Sequence, residues 1–265
     1  MATSSISATD IKNMALRMLG DDTCTDAEFT AGTLRRAQIA NEFYAQALYT
    51  VQAEHPWNFN TKRATLYAYQ TPASDITLDA LTVAANVTDT ASVFLPTDVG
   101  RQIRAVTGGG IGTIATFNAA NDVDVTISSS FGSLTYLSGE WRLYYPFPAW
   151  GETRQIAIPG DCLRVWRIED NLDYQVEQGY IVLSQDTLNC RYSRQEPDTT
   201  LMPRQVVLAV ATFLAAIMAE PITGQNAKAD AFLKKYQVQL QRAKGIDAQE
   251  GTPETLEVNA LIDVR

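Results

Sequence analysis

The stretch "VVLAVATFLAAIMA", residues 206–219, constrains this chain more than any other. It carries no charge and a single hydroxyl, so as a helix it is apolar on every side and must be covered on every side. A bilayer span needs about 20 apolar residues. The run is shorter than that and is expected to be the buried core helix of a globular domain. Other elements of the chain must therefore supply amphipathic faces to surround it.

Helical texture of that kind occurs near both ends. Ser7 and Asp10 form a capping box before "IKNMALRMLG", where Ile11, Met14, Ala15 and Met18 share a face and Gly20 closes the helix. Thr25 and Glu28 form a second box. A single long helix is expected from there to about Glu54, roughly 40 Å at 1.5 Å per residue. Its stripe is Ala37, Ala40, Tyr44, Ala47, Leu48 and Val51, widened by Ile39 and Phe43. Pro203 opens the apolar run, and "EPITGQNA" breaks it at Pro221 and Gly224. A last helix carries Ala229, Phe232, Leu233, Tyr236, Leu240 and Ala243 and is expected to end at Gly245.

Between the flanks the texture is β. "SVFLPTDVGRQIRAV", "GTIATFNAANDVDVTI" and "WRLYY" are rich in Val, Ile, Thr and aromatics with short polar turns. "RVWRIEDNLDYQVEQGYIVLSQDTLNCRYSRQ" reads as a β-meander. The expected class is α+β: an antiparallel helical bundle made from N- and C-terminal helix pairs, with a β-meander and an inserted small β-sandwich or barrel. The corresponding segments are 1–71 with 151–245, 72–150 for the insertion, and 246–265 for an acidic C-terminal arm.

Net charge is −9, which opposes wrapping nucleic acid on a broadly basic surface but not a channel through which DNA slides. Cys24, Cys162 and Cys190 are scattered with no CxxC spacing, and only one histidine could join them, which argues strongly against a zinc site. No metal or other cofactor is expected. The first ten residues have neither a basic nor an apolar signal region.

The one histidine, His55, precedes Pro56. Proline cannot continue a helix and disfavours helical backbone before it, so His55 is read as a helix-end residue beside the anchors Trp57 and Phe59. A catalytic reading would need a nucleophile and an orienting carboxylate that spacing cannot place. "GGGIG" at 108–112 leads into strand-like "TIATF" rather than a helix, so it is read as a hairpin turn and not a phosphate loop. Asp122 and Asp124 alternate on one strand face, taken as the solvated one. Trp141, Trp150 and Trp166 are read as core or interface aromatics, with a sugar platform on Trp141 and Trp150 as the competing reading. No catalytic residue is assigned. Arg35, Arg36, Phe43 and Tyr44 are candidates for contacts between copies. The arm, with Gln249, Glu250, Leu256, Val258, Leu261, Ile262, Val264 and Arg265, combines acidity with spaced apolar residues and suits a segment that orders on a partner.

"HPWNFNTKRATL" after a helix resembles a signature of the head-to-tail adaptor proteins of short-tailed bacteriophages, also described as tail tubular protein A-like or head-completion gatekeeper proteins. "IKNMALRMLGDDT", "IPGDCLRVWRI", "GYIVLS", "LAAIMAEPITGQ" and "AKGIDAQEGTPE" resemble further pieces of that family in the same order. The likeness spans roughly residues 7–70 and 155–255. It implies a non-enzymatic virion component at the head-tail junction, made in the host cytoplasm. Such a component forms a ring, usually of twelve copies, on the portal protein. It would extend the channel for double-stranded DNA without reading its sequence, and would carry the tail nozzle and the fibres or spikes, with no membrane involved. The arm at 249–265 would dock the portal, and the β insertion would point to fibres or nozzle. A cell-wall carbohydrate-active or sugar-binding tail protein is the alternative.

Overall fold

The computed structural model describes residues 6–148, 151–169 and 172–250. Its helices are α1 (Ala8–Leu19), α2 (Asp26–Ala31), α3 (Arg35–Ala53), α4 (Arg204–Thr223) and α5 (Asn226–Gln249). The strands are β1 (Thr61–Tyr67), β2 (Tyr69–Gln70), β3 (Ile76–Leu78), β4 (Ala84–Asp89), β5 (Gln102–Ala105), β6 (Ile111–Ala119) and β7 (Asp122–Ser129). They continue with β8 (Thr135–Tyr136), β9 (Trp141–Tyr144), β10 (Arg154–Ala157), β11 (Cys162–Ile168), β12 (Gln175–Glu177), β13 (Tyr180–Leu183) and β14 (Thr187–Arg194).

Both capping boxes form. The Ser7 hydroxyl accepts from the Asp10 N–H at 3.1 Å while the Asp10 carboxylate accepts from the Ser7 N–H at 2.9 Å. Thr25 and Glu28 repeat the arrangement. The single long helix expected from Thr25 to Glu54 does not form. Gly32 turns left-handed at φ 60°, its N–H closes on the Glu28 carbonyl, and Leu34 is extended before α3 starts. "AGT" offers a glycine cap with no apolar period to carry a helix across it, and the stripe begins only at Ala37. At its other end the molecule is more helical than expected. α4 continues through Pro221 to Thr223, and α5 passes Gly245 to reach Gln249.

The fold class differs from the expected bundle. Among the described residues fourteen strands lie in three antiparallel sheets, one of them eight-stranded, against five helices. No N-terminal helix pair forms a bundle half. α1 and α3 touch each other only sparsely and pack instead on α4. The reason lies in the apolar run at 206–219. A helix apolar all round accepts α1, α3 and α5 on separate faces, so the amphipathic helices have no need to pair among themselves. The β segments, many only two to four residues long, were underweighted because short strands give little periodic signal.

The chain divides into two compact units. The helical unit comprises Met1–Lys62, Asp161–Trp166 and Arg191–Arg265. α4 runs through its centre, and Val206, Val210, Leu214, Ala215 and Met218 are almost wholly buried. One cluster packs Ile11, Leu48, Val51, Trp57, Tyr236 and Leu240 on the first half of α4; another packs Leu16, Phe29 and Ala40 on the second. Alanines at 209, 211, 215, 216 and 219 let the neighbouring helices approach closely. The hydroxyl of Thr212, fully buried among them, donates to the Leu208 carbonyl at 2.7 Å. α4 has the length and composition of a membrane span, but most of its apolar window is buried inside this unit.

The β unit comprises Arg63–Gly160 and Arg167–Cys190. Its main sheet has the order β2-β9-β5-β6-β7-β4-β3-β8. Side chains from seven of the eight strands meet in one core with Phe94 and Phe131, which requires the sheet to wrap around it. β7 shows why: Val123 and Val125 point in while Asp122 and Asp124 stay partly exposed. β10-β13-β12 form a small antiparallel sheet in the same unit, and the third sheet has the order β1-β14-β11. A buried ion pair locks the loop before β5. Arg101 contacts Asp98 at 2.8 Å and donates to the carbonyls of Tyr144 at 2.8 Å and Leu143 at 3.0 Å.

Candidate functional site

The corner after α3 is built by "EHPWNFN". Glu54 closes the helix and Pro56 turns the chain. Trp57 is fully buried, and its indole N–H donates to the Val51 carbonyl at 2.9 Å. Phe59 stacks on it with centroids 6.5 Å apart. Asn60, also fully buried, donates to the carbonyls of Gln52 and Arg194.

His55 lies edge-on to Trp57 and faces Asp247 in the last turn of α5, with Nε2 and Oδ2 3.2 Å apart. The other carboxylate oxygen accepts from the Asn58 backbone N–H at 3.1 Å, and the Asn58 amide donates to the Asp247 carbonyl at 3.0 Å. Lys244 and Glu54 add an ion pair at 3.7 Å. The histidine corner therefore grips the last turn of α5, which extends into the segment expected to be arm. The sequence pattern places Asp247 in the acidic arm at 246–265, whereas here it belongs to α5. The signal was available: Tyr236, Leu240, Ala243 and Asp247 continue one helical face in steps of four, three and four.

Burial pulls the His55 imidazole below its ordinary pKa, against the pull of Asp247. Burial likewise raises the Asp247 carboxyl, against the Asn58 N–H and His55. The two signs act oppositely on stability. For His55 the unfolded chain protonates first, so its contribution is present above about pH 6.5 and is lost as pH falls. For Asp247 the folded state protonates first, so its contribution is present in acid and is lost as pH rises through the raised value. Lowering pH from 7.5 toward 6 is thus expected to reduce the urea midpoint. H55N is expected to flatten that slope, and an unchanged slope in the variant would assign it to other groups.

A second feature sits where the start of α3 meets the end of α4. Arg35, Phe43, Ile217, Glu220 and the Pro221–Ile222 turn line a groove of about 800 Å³. A smaller one of about 210 Å³ adjoins it at Arg36 and Ile39. Arg35 reaches the Pro221 carbonyl at 3.2 Å, and Arg36 lies 3.8 Å from Asp21 and 3.6 Å from Asp22. Three of the four proposed contact residues therefore converge here. Tyr44 does not. It packs toward both helical cores, and burial pushes its phenol up to about 12.

Of the other residues singled out, Asp122 and Asp124 both accept from the Asn86 amide, which lowers the Asp124 pKa. Trp141 is fully buried and donates to the Ser74 carbonyl at 2.8 Å, so it cannot serve as a sugar platform. Trp150 lies outside the described residues. Trp166 is half-buried against Arg164 and donates to the Ser193 hydroxyl. Gly108 to Gly110 join β5 to β6 as a turn. Cys24 and Cys190 are buried thiols, Cys162 is half-buried, and burial lifts Cys190 to about 11. Gln249 and Glu250 are exposed at the end of α5, whereas Leu256, Val258, Leu261, Ile262, Val264 and Arg265 lie outside the described residues. No protein-family model and no curated protein matches the sequence.

Proposed function

We propose that this chain is a structural, ring-forming adaptor of a phage head-to-tail junction, which binds the portal, extends the DNA channel and carries nozzle and fibres or spikes. The observation that carries the reading is the groove between α3 and α4. It gathers Arg35, Arg36 and Phe43 beside the "PITG" turn, which belongs to one of the motifs resembling that family. A concave surface that mixes apolar Phe43, Ile217 and Ile222 with charged Arg35 and Glu220 suits a protein contact between copies. The grip of His55 and Asn58 on Asp247 supports the second half of the reading. It holds the last turn of α5, the element from which the proposed docking segment continues in sequence.

Two variants separate the surfaces. Truncation after Glu250 is expected to abolish co-sedimentation with a portal ring. F43D is expected to leave one-to-one portal contact possible while preventing a full ring. Portal binding unchanged by the truncation would remove the docking role of the arm, and full rings from F43D would remove the groove.

A further inference from the structure

The outward face of β5 and β9 carries an arrangement that the adaptor reading does not use. Antiparallel pairing places Arg104 directly opposite Arg142. Like charges in that position are destabilising. The register cannot slip to separate them, because Ile103, Trp141 and Leu143 on the other face are locked in the core. Among the described residues neither arginine has a carboxylate within ion-pair distance. Burial lowers the Arg104 pKa and the positive charge of Arg154 adds to it, against a smaller opposing pull from Tyr144 and from Asp186, whose carboxylate is paired with Arg154.

Instead of carboxylates, the guanidinium groups lie on aromatic rings. Arg142 sits 4.2 Å from the Tyr69 centroid, and Arg104 sits 4.6 Å from Tyr144 and 5.2 Å from Phe147. Tyr69 and Tyr144 contact each other at 5.2 Å. Such stacking fixes the guanidinium plane and offsets part of the repulsion. The Gln102 side-chain amide oxygen, Oε1, accepts from Arg104 Nε at 3.1 Å and from its Nη2 at 2.8 Å, and orients it further. The pair lines an open groove of about 270 Å³ together with Gly109, Gly110 and Tyr144. Gly110 leaves no room for a side chain, since an added Cβ would strike the Phe131 ring.

We propose that this face, with Arg104 and Arg142 at its centre, is a binding site for a small ligand bearing a phosphate or carboxylate group. Two oriented guanidinium forks without carboxylate partners match the geometry of an oxyanion, whose charge would relieve their mutual repulsion. The chain's net charge of −9 works against a long polyanion, which would run onto acidic surface; it leaves a ligand of one or two local charges. The inference is independent of the adaptor reading.

The test is calorimetric titration of the full chain at fixed ionic strength with inorganic phosphate, a hexose 6-phosphate, a hexuronate and, as neutral control, glucose. Saturable millimolar binding by at least one anion and none by glucose is expected; which anion binds identifies the source. R104Q and R142Q are each expected to weaken that binding at least about tenfold, the worth of a charge-assisted hydrogen bond. R164Q, which removes an arginine stacked on Trp166 elsewhere, is expected to leave it unchanged. Should the glutamine variants not fold, R104K and R142K keep the charge but lose the stacked fork and are expected to weaken binding by a smaller, several-fold factor. No saturable binding by any of the three anions, or equal binding by the arginine variants, overturns the proposal.

Discussion

Replacing Arg101 with methionine is expected to destabilise the β unit by about 3–5 kcal/mol, the usual cost of leaving one partner of a buried ion pair alone. Both side chains are almost fully buried, with side-chain exposures of 7% and 3% for Arg101 and Asp98. The guanidinium also satisfies two carbonyls at the end of β9, so its loss leaves a carboxylate and two carbonyls short of donors at once. Asp98 is itself held in place, since its other oxygen accepts from the Leu95 N–H at 2.8 Å. D98N/R101M is therefore expected to be less damaging than the sum of the single changes, because neither partner remains charged and unpaired. Hydrogen exchange of β5 and β9 peptides reads the effect within the unit. A loss below about 1 kcal/mol for R101M would show that water reaches the pair and that it is not buried as described.

Trp57→Ala is expected to cost about 3–5 kcal/mol in the helical unit, in the range for a fully buried large aromatic. The indole closes the core between α3 and the first half of α4, and it forms the edge against which His55 is held. Trp57→Phe separates packing from hydrogen bonding. It keeps an aromatic body but removes the donor to Val51, whose carbonyl also accepts weakly from Glu54, so about 1 kcal/mol is expected. Urea unfolding followed by circular dichroism at 222 nm measures both. Equal losses for the two variants would place the value of Trp57 in its N–H rather than its volume.

Local chemistry was legible in the sequence, and long-range pairing was not. Ser7 with Asp10 and Thr25 with Glu28 could be read because a capping box needs only four consecutive residues. The corner at Pro56 could be read because proline acts on its own and the preceding residue. The interruption at Gly32 was local too, since "AGT" offers a glycine cap and the apolar stripe begins only at Ala37. Asp247 needed the knowledge that the corner packs on α5, though its place on the buried stripe was a clue. The sparse contact between α1 and α3 depended on α4 offering a face to each. The opposition of Arg104 and Arg142 is a matter of register between strands separated by more than thirty residues. No pattern along the chain encodes it.

The adaptor reading rests on copies of this chain seating side by side on a larger collar. Its most direct measurement is the mass of the protein by native mass spectrometry or light scattering, alone and after mixing with a portal ring. The account predicts a defined complex in which the ring carries several copies of this chain, up to one for each portal subunit, and in which truncation after Glu250 leaves the ring bare. Unchanged masses of both components after mixing would contradict it.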